Sequence, residues 1–178
     1  MPPDSVDRII AAWAERDPTV DARPLAVVGR LLLCAHHCRN ALVAALEPFG
    51  LSFGDFDVIN TLRRRGDKVG TNPRDLARSA LITSGAMTAR LDRLERARLI
   101  RRTADPGDGR AVRVHLTPTG ERLAKRALRA VIAADLDFLR PLSEEQREAT
   151  SSALRLLLLP HEEDAVPGTR SDVSRAGV

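Results

Sequence analysis

The 178-residue chain has no tyrosine, one tryptophan and four phenylalanines, which disfavours a single-strand binder that stacks successive bases on aromatic platforms. Two cysteines in the run Cys34-Ala35-His36-His37-Cys38 make no disulfide framework, because on a helix they lie one turn apart and clip no long loop. No apolar run approaches the roughly 18–20 residues of a membrane span, and Met1–Arg8 lacks a basic segment followed by an apolar one. A cytoplasmic protein without a membrane partner is the expectation. The histidines His36, His37, His115 and His161 are scattered, and no Ser-His-Asp order or phosphate-cradling glycine loop is present. The glycine-bearing run Asp105–Arg110 lacks the glutamate that would close a calcium site. Catalysis, cofactors and a metal centre are therefore not expected.

What is present suits one domain of about 100–200 residues with a real core, since 43% of the chain is apolar. The net charge is +4, but it is unevenly spread. Between Arg63 and Arg113 stand 14 basic and six acidic residues, a net +8, and the remainder carries −4. A basic centre between acidic ends is the footprint of a face that meets a polyanion. An arginine-rich composition falling unevenly is the plainer alternative, since only two of the 28 basic residues are lysine.

Periodicity predicts a short amphipathic helix over 4–16, with Ile9 and Trp13 one turn apart and a stop at Asp17-Pro18. Pro24 opens a long helix to about Leu46, apolar at Val28, Leu31, Leu32, Ala35, Leu42 and Leu46. At about 1.5 Å per residue it exceeds 30 Å, more than the domain needs internally, and suggests a helix that packs on a partner. Pro48-Phe49-Gly50 break it; Ser52 and Asp55 read as a capping box for the next helix, which ends at Gly66. Asn72 and Pro73 start another helix. After a turn at Leu81-Ile82, Thr83 caps a helix whose Met87, Leu91 and Leu94 form a buried stripe. A strand over Leu99–Thr103, a turn-rich tip and a strand over Val112–Leu116 make a β-hairpin. A helix over roughly 119–139 follows, with Leu123, Leu128, Val131 and Phe138 inward. A last helix capped by Ser143 and Gln146 ends in a leucine run, and a polar tail is expected to be disordered from His161.

The fold class expected is mainly α with a small β-hairpin wing, a winged helix-turn-helix. Small residues at the start of the second helix let its backbone approach DNA closely. Thr83, Ser84, Gly85 and Thr88 present amides and hydroxyls to phosphates and base edges in the major groove, and Arg93 lies on the same face. Arg110 at the hairpin tip can enter the minor groove while Asp108 fixes the turn, and Arg113 adds charge behind it. An Arg110 that merely pairs with Asp105 or Asp108 is the plainer alternative.

The stretch Asp108–Gly120, reading DGRAVRVHLTPTG, resembles the wing signature of the MarR (multiple antibiotic resistance regulator) family at Asp108, Arg110, Val114, Leu116, Thr117 and Gly120. LITSGAMTARLDRLERARLIRR resembles that family's recognition helix and following strand, and the likeness runs through roughly residues 24–159. The resemblance implies an obligate homodimer joined through N- and C-terminal helices. It implies a regulator, expected to be a repressor, that binds a pseudo-palindromic double-stranded DNA operator and is released by a small-molecule effector. It divides the chain into an extra N-terminal helix (1–20), a helical dimerisation region (21–50 and 119–160), a winged helix-turn-helix (51–118) and a tail (161–178).

A finer resemblance is to the urate-responsive branch of that family, whose Trp, Asp and two Arg correspond to Trp13, Asp57, Arg90 and Arg102. It implies an effector that is urate or another aromatic or purine-like anion. The chemistry agrees: Trp13 offers a flat stacking surface, and an arginine can fork onto an anionic edge. Were Asp57 paired with Arg90, a ligand competing for either would move the recognition helix. The plainer alternatives are a core Trp13 beside Ile9 and a solvated face of Asp57, Asn60, Thr61 and Arg64. Cys34, His37 and Cys38 share a helix face, but three ligands on one helix strain a tetrahedral metal site, which favours a packed patch. A cysteine-based redox regulator of the same fold is the remaining alternative, and the missing tyrosines count against it.

Overall fold

The computed structural model describes residues 2–79, 87–107 and 111–163. The chain divides into two units, one ending at Phe138 and the other starting at Leu139. In the first unit α1 (Ser5–Arg16) opens on a complete capping box. Asp4 accepts from the Val6 and Asp7 amides, and the Asp7 carboxylate accepts from the Asp4 amide at 3.0 Å. Two ion pairs fasten it to α2 (Leu25–Leu46), Arg30 reaching Asp4 at 2.8 Å and Asp7 at 2.6 Å, and Val6 is buried against Gly29. A single 3₁₀ turn, Glu47–Phe49, ends α2 where the Pro-Phe-Gly break was expected.

In α3 (Phe53–Arg65) the Ser52 hydroxyl accepts from the Asp55 amide at 3.1 Å, but the expected box is only half made. The Asp55 carboxylate is bound to Arg93 and cannot return to the cap. In α4 (Pro73–Ser79) the Asn72 side chain accepts from the Arg74 amide at 2.9 Å. The expected turn at Leu81-Ile82 and cap at Thr83 lie outside the described residues. From α5 (Met87–Arg96) the chain enters an antiparallel hairpin of β1 (Ile100–Ala104) and β2 (Val112–Leu116), with Ile100 opposite Leu116 and Ala104 opposite Val112. The first strand begins one residue later than expected, because Leu99 still closes the helix end. Its amide donates to the Leu94 carbonyl and its own carbonyl accepts from Thr117. The last helix of this unit is α6 (Pro118–Phe138).

The core gathers Val58 and Ile59 of α3, Leu76 of α4, Leu94 of α5, Ile100 of β1 and Val114 of β2, all fully buried. At about 1.5–3 kcal/mol for each such side chain, these contacts hold the three-helix, two-strand module together. From α6 it is Ala124, Ala127 and Val131 that are most buried, while Leu123 and Leu128 pack at the edge and Phe138 is outside the cluster. Small side chains allow α6 to close on α2 and α3. Along α2 only Leu46 is fully buried, and Val28, Leu31 and Leu32 of the expected stripe are exposed.

In the second unit α7 (Glu144–Glu163) opens on a complete Ser143/Gln146 box and exposes Leu154 and Leu156 through Leu159. It runs through Pro160 to Glu163, three residues into the expected tail, and the rest of that tail lies outside the described residues. No described helix is long and apolar enough to cross a membrane.

Candidate functional site

The face that α5 presents is set by what it buries. Met87, Leu91 and Leu94 are buried as the three-four spacing predicts, which leaves Thr88 and Arg93 exposed on other faces. Its orientation is then fixed by a bidentate ion pair to α3. Arg93 Nη2 donates to Asp55 Oδ1 at 2.6 Å and Nε to Oδ2 at 3.0 Å. The Asp55 side chain is 7% exposed and that of Arg93 50%, so the carboxylate is desolvated while the guanidinium keeps an edge in water. The hydrogen bonds to Asp55, and then its charge, raise the Arg93 pKa further. A second clamp joins α5 to the wing. Arg102 Nη1 donates to Asp92 at 2.7 Å and to Glu95 at 3.2 Å, and the Arg102 amide donates to Glu95 at 2.9 Å.

The hairpin is braced in the same manner. Arg113 donates to Asp105 and, at 3.4 Å, to the Gly70 carbonyl, while Thr71 exchanges backbone bonds with Val114. At its base the Thr117 hydroxyl donates to the Arg98 carbonyl at 2.8 Å and accepts from the Gly120 amide at 3.0 Å. A Cβ on Gly120 would stand 2.0 Å from the Leu99 carbonyl oxygen, which explains why the Thr-x-x-Gly run has glycine at that place. Thr88, Arg93 and Arg113 thus lie in or on the winged module, the two arginines as its fasteners. Thr83, Ser84, Gly85, Asp108 and Arg110 lie outside the described residues.

Of the four residues aligned with an effector site, three lie on elements of the winged module. Asp57 is buried on α3, Arg90 lies on α5 and Arg102 on β1, elements that pack together. An Asp57–Arg90 ion pair is not present; the ion pair between these helices joins Arg93, one turn along α5, to Asp55. Arg90 lies flat against α3 instead. A Cβ on Gly54 would come within 2.4 Å of its Nε, and its buried Nη1 has no hydrogen-bond partner among the described residues. Trp13 sits apart on α1, 44% exposed, and shares no hydrogen bond or ring contact with the other three. Its exposure removes the plain reading of a core tryptophan, and the burial of Asp57 and Thr61 removes that of a solvated α3 face.

On α2, Cys34 is exposed, and Cys38 is part-buried in an apolar cavity of about 230 Å³ shared with Leu42 and Phe53. Burial first, then the charge of Asp135, pushes the Cys38 thiol up, opposite to what a reactive thiolate needs. Asp55 and Gly54 were missed in the sequence as site residues: Asp55 read as a cap, and nothing local marks a partner 38 positions away.

The MarR family profile matches residues 49–111. HTH-type transcriptional regulator PecS of Dickeya dadantii is 34% identical over 142 residues, covering 80% of this chain and 86% of its own. Among solved structures, the Mycobacterium tuberculosis MarR family protein Rv2887 in complex with DNA aligns with a TM-score of 0.58 at 30% identity, over 74% of this chain and 96% of that one. The same protein with salicylic acid aligns with a TM-score of 0.56 at 34% identity, over 74% and 95%. The fold, the Leu116, Thr117 and Gly120 match at the base of the hairpin and the extent of these matches agree, and this chain belongs to the MarR family of winged helix-turn-helix transcriptional regulators.

Proposed function

We propose that the protein is a homodimeric repressor that lays two α5 helices into successive major grooves of a pseudo-palindromic operator and lets go when a small aromatic or purine-like anion binds. The observation that carries the DNA part is the double fastening of α5, by Arg93 to Asp55 and by Arg102 to Asp92 and Glu95, inside the segment with the net +8 charge. A recognition helix must be held at one angle to reach base edges, and bidentate pairs with a buried member supply that stiffness. The Rv2887 complex with DNA supports the same reading. Thr83, Ser84, Gly85 and Thr88 with Arg93 would face the major groove, and Asp108, Arg110 and Arg113 would serve the wing. Self-association is supported by α2, where Val27, Val28, Leu31 and Leu32 form an exposed apolar stripe.

Release is supported by Arg90, which lies against Gly54 of α3 with a buried Nη1 donor that lacks an acceptor among the described residues, and by the salicylic acid complex of Rv2887. An anion accepting from Arg90 would bear directly on the α3–α5 contact that sets the helix angle. Trp13 would stack on a planar ligand, and urate is one member of that class.

Gel shifts with the DNA flanking the gene test this reading. Affinity is expected to fall by roughly 10³-fold or more between about 50 and 200 mM salt, with half-sites about 10 bp apart. Arg110→Ala should weaken binding by about 1–3 kcal/mol with dimerisation intact. A monomer in sedimentation, or DNA affinity indifferent to salt, would overturn it.

A further inference from the structure

A second cavity, of about 190 Å³, lies at the root of the wing, on the side of the hairpin where Arg101 and His115 stand opposite each other across β1 and β2. Leu62, Val114 and Leu116 contribute apolar wall, and the Arg63–Glu121 ion pair closes one side. The charges in this cavity are unevenly satisfied. Glu121 is bound to Arg63 at 2.8 Å, and Asp67 is bound to Arg65 and to the Thr71 hydroxyl, each at 2.8 Å. The side chain of Arg101, an exposed residue, makes no hydrogen bond or ion pair among the described residues. His115 is joined through Nε2 to the Thr103 hydroxyl at 3.0 Å, which leaves its other ring nitrogen without a partner there. Both carboxylates are thus already engaged, while the Arg101 guanidinium and one ring nitrogen of His115, on adjacent strands, are not.

We propose that this cavity binds a small carboxylate with a short apolar tail, its anionic group held between Arg101 and His115 and its tail on Leu62 and Leu116. A carboxylate can take the Arg101 fork and a histidine donor together. Leu62 and Leu116 offer a small apolar patch to a short tail, and Asp67 and Glu121 on the rim repel a dianion such as phosphate more than a monoanion. The site joins β1 and β2 to the end of α3 and the start of α6, so its occupant would brace the wing against the body of the module. That consequence for DNA rests on the operator-binding reading; the binding itself does not. The groups facing His115 are Arg101 and Arg113 from the hairpin, Arg63 from α3, Asp67 from the following turn and Glu121 from α6. Burial, then Arg101 and Arg113, hold the free His115 below its ordinary value. A bound anion opposes both cations, so its affinity should rise as pH falls and His115 gains its proton.

NMR titration of the full chain with sodium butyrate, read on the His115 ring protons, tests this. Butyrate has no ring to stack on Trp13, so failure of the proposed effector site would not affect the result. A saturable shift in the millimolar range is expected, with His115 titrating at higher pH when butyrate is bound. Arg101→Ala should weaken binding about tenfold or more. His115→Gln, followed by calorimetry, should keep weak binding and lose its pH dependence. No saturable shift up to about 50 mM, an unchanged Arg101→Ala affinity, or equally tight binding of inorganic phosphate would overturn the proposal. Butyrate binding without any DNA shift would sink the operator reading and leave this site standing.

Discussion

The winged module and the long helix α2 use the same residue types in opposite ways. Between α3 and β2, leucine and isoleucine of the described elements go inward with Val58 and Val114, and arginines are spent on buried or part-buried carboxylates. Along α2 most apolar residues before Leu42 stay out, Leu32 to 66%, and Arg30 ties this part of the helix to α1. One region is finished within a single chain; the other leaves exposed the apolar surface that the proposed dimer would cover.

Two leucines break or sharpen that contrast most strongly. Leu94→Ala should destabilise folding by about 2–5 kcal/mol in urea unfolding, because it empties a fully buried place. Leu32→Ala should move the folding of one chain by less than about 0.5 kcal/mol and instead shift the monomer–dimer equilibrium in sedimentation. Equal losses of folding stability would erase the distinction. Next comes Gly120→Ala, expected to cost about 1–3 kcal/mol because the new carbon meets backbone that cannot yield. Gly107→Ala is its control, its nearest contact being an ordinary 3.5 Å to the Asp105 side chain, and should leave the melting temperature unchanged.

Arg93→Ala should cost about 1–2 kcal/mol by leaving Asp55 buried and alone, and a double-mutant cycle with Asp55→Ala should return a favourable coupling. A zero coupling would mean α5 is held by its apolar stripe alone. The smallest effect belongs to His115. Its folded pKa lies below the ordinary 6.5, so the unfolded chain binds the proton more readily. The stability it contributes is full above about pH 6.5 and declines as pH falls through its lower folded value. Urea unfolding at several pH values should show this slope, flattened in His115→Gln.

Much of this was readable along the chain because it depends on neighbours in sequence. The Asp4, Ser143 and Asn72 caps, the breaks at Gly50 and Gly66, and the Met87-Leu91-Leu94 stripe are contacts among residues within seven positions, where spacing and side-chain chemistry determine the outcome. The readings that failed were those in which a local partner lost to a distant one. Asp55 serves Arg93 and not its own cap, and Asp57 is buried where polar neighbours suggested solvent. The strand after α5 begins late because Leu99 answers to Leu94 and Thr117.

Sequence alone determined the element order, the charge concentrated in the middle of the chain and the family, since periodicity, capping and motif spacing are properties of short segments. Tertiary structure decided which carboxylate anchors α5, that Arg90 keeps a buried donor without an acceptor among the described residues, and that Arg101 and His115 wall one cavity. Those outcomes depend on how α3, α5 and the hairpin cross, and a crossing angle is set by the packing of side chains far apart in the chain.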